Sequence, residues 1–277
     1  MFRYIQLAVV CEAVLVFTTG PALAGPLILS GMDPEDHGSA GVTMISDILA
    51  FVVNNSTLGA GTDIAMLGGD TGGIGGSSAD ASVIAAALGF TLTHFDTPAA
   101  IAGAPAGFAG FNAIYMPTSS LDISNGITQN ETNAVNARGA EIVDFVNAGG
   151  GLAAFANRLT DGYGWFPLGG ITIEDFGSGS SGTGIVTTSA GDLILSASAT
   201  DVSPFHAGFT GPPGLFGLDI LATEDASPFT PLIIGGDATT VISGTVVPEP
   251  SSLALLGIGA LGLFGYSRRR RQTSAAA

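Results

Sequence analysis

Residues 128–157 read TQNETNAVNARGAEIVDFVNAGGGLAAFAN. Thr128 stands three residues before Glu131, the spacing of a capping box, in which each side chain takes the other residue's backbone amide. Val135, Ile142, Val143 and Val146 then share one helical face, and Gly149, Gly150 and Gly151 end the helix. Residues 152–155 follow as an apolar run of strand length. A capped helix passed through a glycine stop into an apolar strand is half of a βαβ unit. The stretch therefore predicts an α/β layer around a parallel sheet buried on both faces.

The same alternation extends upstream. Residues 26–30 read as a short buried strand. Ile45, Ile48, Leu49 and Val52 fall at i, i+3, i+4 and i+7 of a helix. Residues 63–67 form a second strand and run into the glycine tract 68–78. Residues 80–88 form a second helix, with Val83, Ile84, Ala87 and Leu88 inward and Gly89 as its stop. Residues 90–94 and 111–116 are the third and fourth strands, and 152–155 the fifth. Strands separated by helices imply parallel pairing, so the first half is expected to be a flavodoxin-like, mostly parallel layer. Beyond Thr160 the helical period ends. Residues 171–173, 184–188, 193–196, 218–221, 232–234 and 240–242 read as strands between Gly and Pro turns, adding antiparallel strands or completing the sheet.

Both ends read as targeting segments. Arg3 gives a positive start, residues 7–17 an apolar stretch interrupted by Glu12, and Ala22-Leu23-Ala24 a small-x-small site for signal peptidase. Cleavage after Ala24 would remove Cys11, the only cysteine, and leave no disulfide, thiolate nucleophile or cysteine ligand. At the other end, Pro248-Glu249-Pro250 is followed by the apolar run 253–266 and then Arg268, Arg269, Arg270 and Arg271. The prolines keep the motif extended and outside any ladder. The run can enter a bilayer as a single short transmembrane helix, with the arginines holding its end on the cytoplasmic side. At ~1.5 Å per residue it reaches about 21 Å, short of a ~30 Å hydrocarbon core. That suits a temporary anchor better than a permanent one. The division expected is a signal peptide over 1–24, an acidic α/β domain over 25–245 and a sorting segment over 246–272.

This tail resembles the PEP-CTERM sorting domain. The resemblance implies recognition by an exosortase, cleavage near Pro248, Glu249 and Pro250, transient residence in the inner membrane, and delivery to the outer envelope or extracellular polysaccharide. A second resemblance lies in the domain. Residues 111–115, together with the helix ending DFVNAGGGL at 144–152, look like the class I glutamine-amidotransferase-like superfamily and its ThuA-like members. Where those proteins place a nucleophilic cysteine or a histidine, this chain reads Ala153-Ala154-Phe155-Ala156-Asn157. The family's catalysis is therefore not carried over.

The chain has no lysine. Without the two ends, the domain keeps Arg138 and Arg158 as its 2 bases against 21 acids, a net charge of −19. Such a surface repels nucleic acid and favours cations. Absence of lysine excludes a P-loop, a Schiff base and a lysine general base. The glycine tract does not meet G-x-G-x-x-G, because Ser78 stands at the third glycine position.

The densest polar cluster, Asp33, Glu35, Asp36 and His37, follows the first strand. Ligands of open parallel sheets sit beyond the strands' carboxyl ends, where Asp70 and Asp96 could share the rim. Asp33, Asp36 and His37 suit a divalent cation, Ca²⁺ or Mn²⁺. The same residues also read as a solvated acidic loop, with Asp33-Pro34 a turn and Asp36 a helix cap, since their spacing fits no defined metal loop. His94 reads as a structural strand residue, and His206 lies in a Pro- and Gly-flanked loop. No G-x-S-x-G elbow supports a serine triad. The leading reading is a non-catalytic envelope or matrix protein that binds a partner, polysaccharide or cation. The alternatives are a secreted metal-dependent hydrolase using Asp33, Asp36, His37 and His206, and a purely structural matrix component.

Overall fold

Ten strands and five helices are placed in a computed structural model, which describes residues 24–36, 38–59, 61–69, 80–119, 126–156, 163–166, 172–175, 184–197, 207–210, 218–225 and 230–236. These all belong to the unit Ala22–Ser243. The first half alternates as expected: β1 (Leu27–Ser30), α1 (Gly38–Asn54), β2 (Asp63–Leu67), α2 (Ala81–Ala87), β3 (Thr91–Phe95), α3 (Pro98–Gly103), β4 (Ala113–Ser119), α4 (Gln129–Ala137), α5 (Gly139–Asn147) and β5 (Gly151–Ala156). The second half contributes β6 (Thr172–Asp175), β7 (Ile185–Thr187), β8 (Ala207–Thr210), β9 (Asp219–Glu224) and β10 (Pro231–Gly236).

One eight-stranded sheet runs in the order β3-β2-β4-β5-β1-β10-β9-β7, and β6 pairs with β8 in a separate ribbon. The first five strands are mutually parallel. β10 joins β1 antiparallel, and β9 and β7 continue antiparallel. A mostly parallel first half extended by antiparallel strands is therefore what the chain forms. The parallel order departs from a flavodoxin-like layer, which runs 2-1-3-4-5. Here β2 holds the place of that layer's first strand, and β1 has moved to the far side, between β5 and β10. α1 makes this possible. Its 17 residues, about 25 Å of helix, pack on β1, β5 and β4 while carrying the chain back to β2.

Alternation along each central strand fills both faces. Ile28, Ile64, Met66, Tyr115, Ala153 and Phe155 join α1 and α2 in one core. Leu27, Leu29, Ala65, Leu67, Ile114, Leu152 and Ala154 join α3, α4, α5 and Phe209 in the other. The result is a three-layer sandwich with every residue of β1 and β5 buried.

Several local expectations differ from the structure. The helix expected over 128–148 is two helices, broken at Arg138 (φ −100°, ψ 11°). Gly139 follows the break, and a Cβ there would stand 2.9 Å from the Trp165 backbone, an approach only glycine allows. The capping box of Thr128 and Glu131 is present. On α2, Ala81, Ile84 and Ala85 are inward and Leu88 is half-buried, whereas Val83, 61% exposed, and Ala87 face solvent. Residues 193–196 do not form a strand: a 3-10 turn, Gly191–Leu193, occupies their start. α3 and β8 had no forecast, and the strand expected over 240–242 lies outside the described residues. No helix among the described residues is long and apolar enough to cross a membrane. The apolar run 253–266 lies outside them.

Candidate functional site

The segment after β1 carries the acidic cluster, and it turns inward. Gly31 donates to the Leu232 carbonyl at 2.9 Å and accepts from Ala207 at 3.1 Å, so β1 is held on two sides as it ends. A 3-10 turn, Pro34–Asp36, then tucks under the start of α1. It fits so closely that a Cβ on Gly41 would meet the Pro34 carbonyl oxygen. Asp33 and Glu35 are buried, at 1% and 4% exposure. The solvated acidic loop expected here is absent because packing of the turn on α1 takes both carboxylates out of water.

Glu35 reaches the carboxyl end of β4. Its Oε1 accepts from the Tyr115 hydroxyl at 2.6 Å and from the Thr118 amide at 3.1 Å. Its Oε2 lies 2.5 Å from Thr118 Oγ1, which is also 3.3 Å from the Met32 carbonyl oxygen. Thr118 has a single hydroxyl hydrogen. With Glu35 ionised, that hydrogen must choose between two acceptors. With Glu35 protonated, the carboxyl donates to Thr118 Oγ1, the hydroxyl donates on to Met32, and every group is satisfied. Burial accordingly pushes the Glu35 carboxyl above its usual range, opposed by the hydrogen bonds from Thr118 and Tyr115. Burial, and then the neighbouring Glu35 charge, pushes the Tyr115 hydroxyl well above its usual value.

A second buried hydroxyl closes the neighbouring strand ends. Tyr163 accepts from the Ser30 amide at 2.9 Å and donates to the Ser30 carbonyl at 2.6 Å, with the Ala154 carbonyl 3.0 Å away. Its ring packs with Trp165 and Phe209. Burial raises the Tyr163 hydroxyl far above its ordinary range. The carboxyl ends of β1, β4 and β5 are thus held by internal hydrogen bonds.

Of the residues expected to hold a cation, Asp33 is buried at this rim. Asp36 closes the 3-10 turn, and its side chain, like the whole of His37, lies outside the described residues. Asp96 is exposed just beyond β3, and Asp70 and His206 lie outside the described residues. No group of three or more His, Cys, Asp or Glu converges among the described residues. His94 Nε2 lies 3.2 Å from the Gly68 carbonyl oxygen and ties the end of β3 to the turn after β2. Tyr115, Thr118 and Tyr163 went unremarked in the sequence as polar partners. Tyr115 sits in an apolar strand, and its partner is eighty residues away.

At the C-terminus, the order of Pro248-Glu249-Pro250, an apolar run and four arginines has a defined counterpart. Residues 246–271 match the PEP-CTERM protein-sorting motif. A chain carrying this motif is an exported protein sorted to the cell surface by exosortase processing. The match spans Pro248, Glu249 and Pro250 and the arginines Arg268 to Arg271, and leaves the α/β domain unassigned to any family. No curated protein and no solved structure matches the chain.

Proposed function

We propose that the chain enters the secretory pathway, loses residues 1–24 after Ala22-Leu23-Ala24, and is cut by an exosortase at Pro248-Glu249-Pro250. The remaining α/β domain then resides in the outer envelope or extracellular matrix as a non-catalytic binding module. The observation that carries this reading is the match of residues 246–271 to the sorting motif. Order matters in that tail: an extended acidic motif for the processing enzyme, a span too short for a lasting anchor, and arginines that stop translocation.

The non-catalytic reading is supported at the strand ends. β5, where amidotransferase-like proteins carry their reactive group, ends in Ala154, Phe155 and Ala156, all buried. The nearby Glu35 carboxyl is enclosed by Tyr115 and Thr118 rather than presented to a substrate.

Replacing Pro248 and Glu249 together with alanine tests the sorting step. The apolar run and arginines remain, so the double variant should accumulate in the inner membrane with its tail attached. Release at the normal rate would show that another feature directs sorting.

A further inference from the structure

The eight-stranded sheet ends on one side at β3, whose backbone is half unpaired. The Thr91 amide donates to the Thr62 carbonyl at 3.0 Å, and the Phe95 carbonyl accepts from the Gly68 amide at 2.9 Å. Successive residues of a strand face its two neighbours alternately. Thr91, Thr93 and Phe95 therefore bond β2. Leu92 and His94 turn their amides and carbonyls outward, where no described strand pairs with them. Edge strands are commonly blunted by lysine, proline or a bulge. β3 has none of these: it reads TLTHF, and its register with β2 is unbroken from Thr91 to Phe95.

The flanks are equally unguarded. Leu88, Phe90 and Leu92 are only partly covered against one core. Phe95 and Phe111, edge to face at 5.9 Å, are only partly covered against the other. Residues 81–112 include β3 and the two helices that pack beside it, and they hold one of the domain's 21 acids, Asp96.

Charge decides what this edge can meet. A second copy of the domain carries the same net charge of −19, so contact through acid-rich surface is opposed by like-charge repulsion. The β3 edge brings two copies together with one acid each. A two-fold axis makes the pairing antiparallel and uses up both β3 edges, so growth closes at a dimer. With the axis at Thr93, all five residues of β3 pair. Thr93 meets its own copy, and Leu92 meets the second copy's His94 in a pair that exchanges both backbone hydrogen bonds. The same register holds the two Asp96 carboxylates about 20 Å apart along the strands, at ~3.4 Å per residue. That exceeds the ~10 Å screening length at about 0.1 M salt. We infer that the protein is a two-fold dimer, joined by antiparallel pairing of β3 with β3 of a second copy and centred on Thr93. The inference draws on neither the sorting tail nor the non-catalytic reading, and it stands or falls apart from them.

Sedimentation equilibrium of the secreted protein at physiological ionic strength tests it. The protein should sediment as a dimer in the micromolar range. Thr93→Glu sets two like charges on the axis, at an exposed position, and should weaken association by about tenfold or more. Thr93→Val should leave it intact. Oxidation of single-cysteine variants reads the register, because directly opposed residues of a non-hydrogen-bonded pair lie ~4.5 Å apart, within disulfide reach. Thr93→Cys should cross-link into a dimer on gels run without reductant. Thr91→Cys, offset from its copy by about 14 Å, should not. Nor should Val186→Cys, 51% exposed on β7 at the opposite edge of the sheet. A monomer at every concentration would overturn the inference and leave the edge to a strand of a different protein. A dimer indifferent to Thr93→Glu, or cross-linking through Val186→Cys in place of Thr93→Cys, would overturn it as well.

Discussion

The Tyr115 hydroxyl donates to Glu35 Oε1 at 2.6 Å across eighty residues of sequence, joining the turn before α1 to the end of β4. This contact and the paired bonds to Thr118 lock the acidic segment into the sheet rather than exposing it.

Burial raises the Glu35 carboxyl above its ordinary 4.5 in the folded protein. Its contribution to stability is therefore fully present below about pH 4.5 and is lost as pH rises through the folded-state value. Glu35→Gln mimics the protonated acid, accepting from Tyr115 and donating to Thr118. The variant should match the unmodified protein near pH 4 and exceed it increasingly toward pH 8 in urea denaturation. Tyr115→Phe removes a donor to a buried acid and should cost about 1–2 kcal/mol at pH 7. Parallel pH profiles for Glu35→Gln and the unmodified protein would show that Glu35 stays ionised when folded.

Arg138 is 7% exposed and holds two backbone carbonyls as well as Glu141. Arg138→Ala removes a charged donor from both carbonyls, leaving each with one backbone amide, from Ala104 and Phe108, and it releases the Phe108 ring, for an expected loss of about 2 kcal/mol. Arg138→Lys should recover less than half, since one ammonium cannot reproduce the fork. Urea midpoints for the two variants and the unmodified protein provide the comparison.

The glycines between α5 and β5 divide the work. Gly149 takes φ 106° and ends the helix. Gly150 and Gly151 are required for close approach, their Cβ atoms meeting the Phe145 ring at 2.2 Å and the Val52 carbonyl oxygen at 2.1 Å. Gly151→Ala should cost about 2–3 kcal/mol or more. Gly103→Ala, in open space at the end of α3, should change stability by less than about 0.5 kcal/mol. Thermal melting of both variants separates steric from propensity effects.

How much of this was legible depended on whether the cause was local. Period and capping place α1, β2, α4, α5 and β5, because apolar spacing acts within one element and the Thr128–Glu131 box fixes the start of α4. The position of β1 beside β5 and β10 was not legible, since a short apolar run pairs equally well at either side of a sheet. The break at Arg138 was not legible, since the apolar period continues across it and the glycine beside it packs on the Trp165 backbone, a contact between segments apart in sequence. Leu193, 87% exposed, gave a strand pattern without a strand because apolar alternation in so short a run carries little information. Asp33 and Glu35 were legible as a cluster, but their burial depends on the packing of a 3-10 turn that no composition reveals.

Millimolar CaCl₂ or MnCl₂ separates the binding module from a metal-dependent hydrolase. Screening alone acts alike for any salt of equal ionic strength, whereas a specific site adds RT ln(1 + [L]/Kd). The melting temperatures in CaCl₂, MnCl₂ and ionic-strength-matched NaCl should coincide. An excess with either divalent ion, removed by Asp33→Asn with Asp36→Asn, would instead establish a metal site and favour the hydrolase.

The central claim is that this chain is exported and cut at its sorting tail. Intact-mass measurement of the protein recovered from outside the cell tests it most directly. The mass should correspond to a chain beginning at Gly25, ending near Pro248-Glu249-Pro250, and lacking Arg268, Arg269, Arg270 and Arg271. Recovery of an extracellular protein that retains the four arginines would contradict the account.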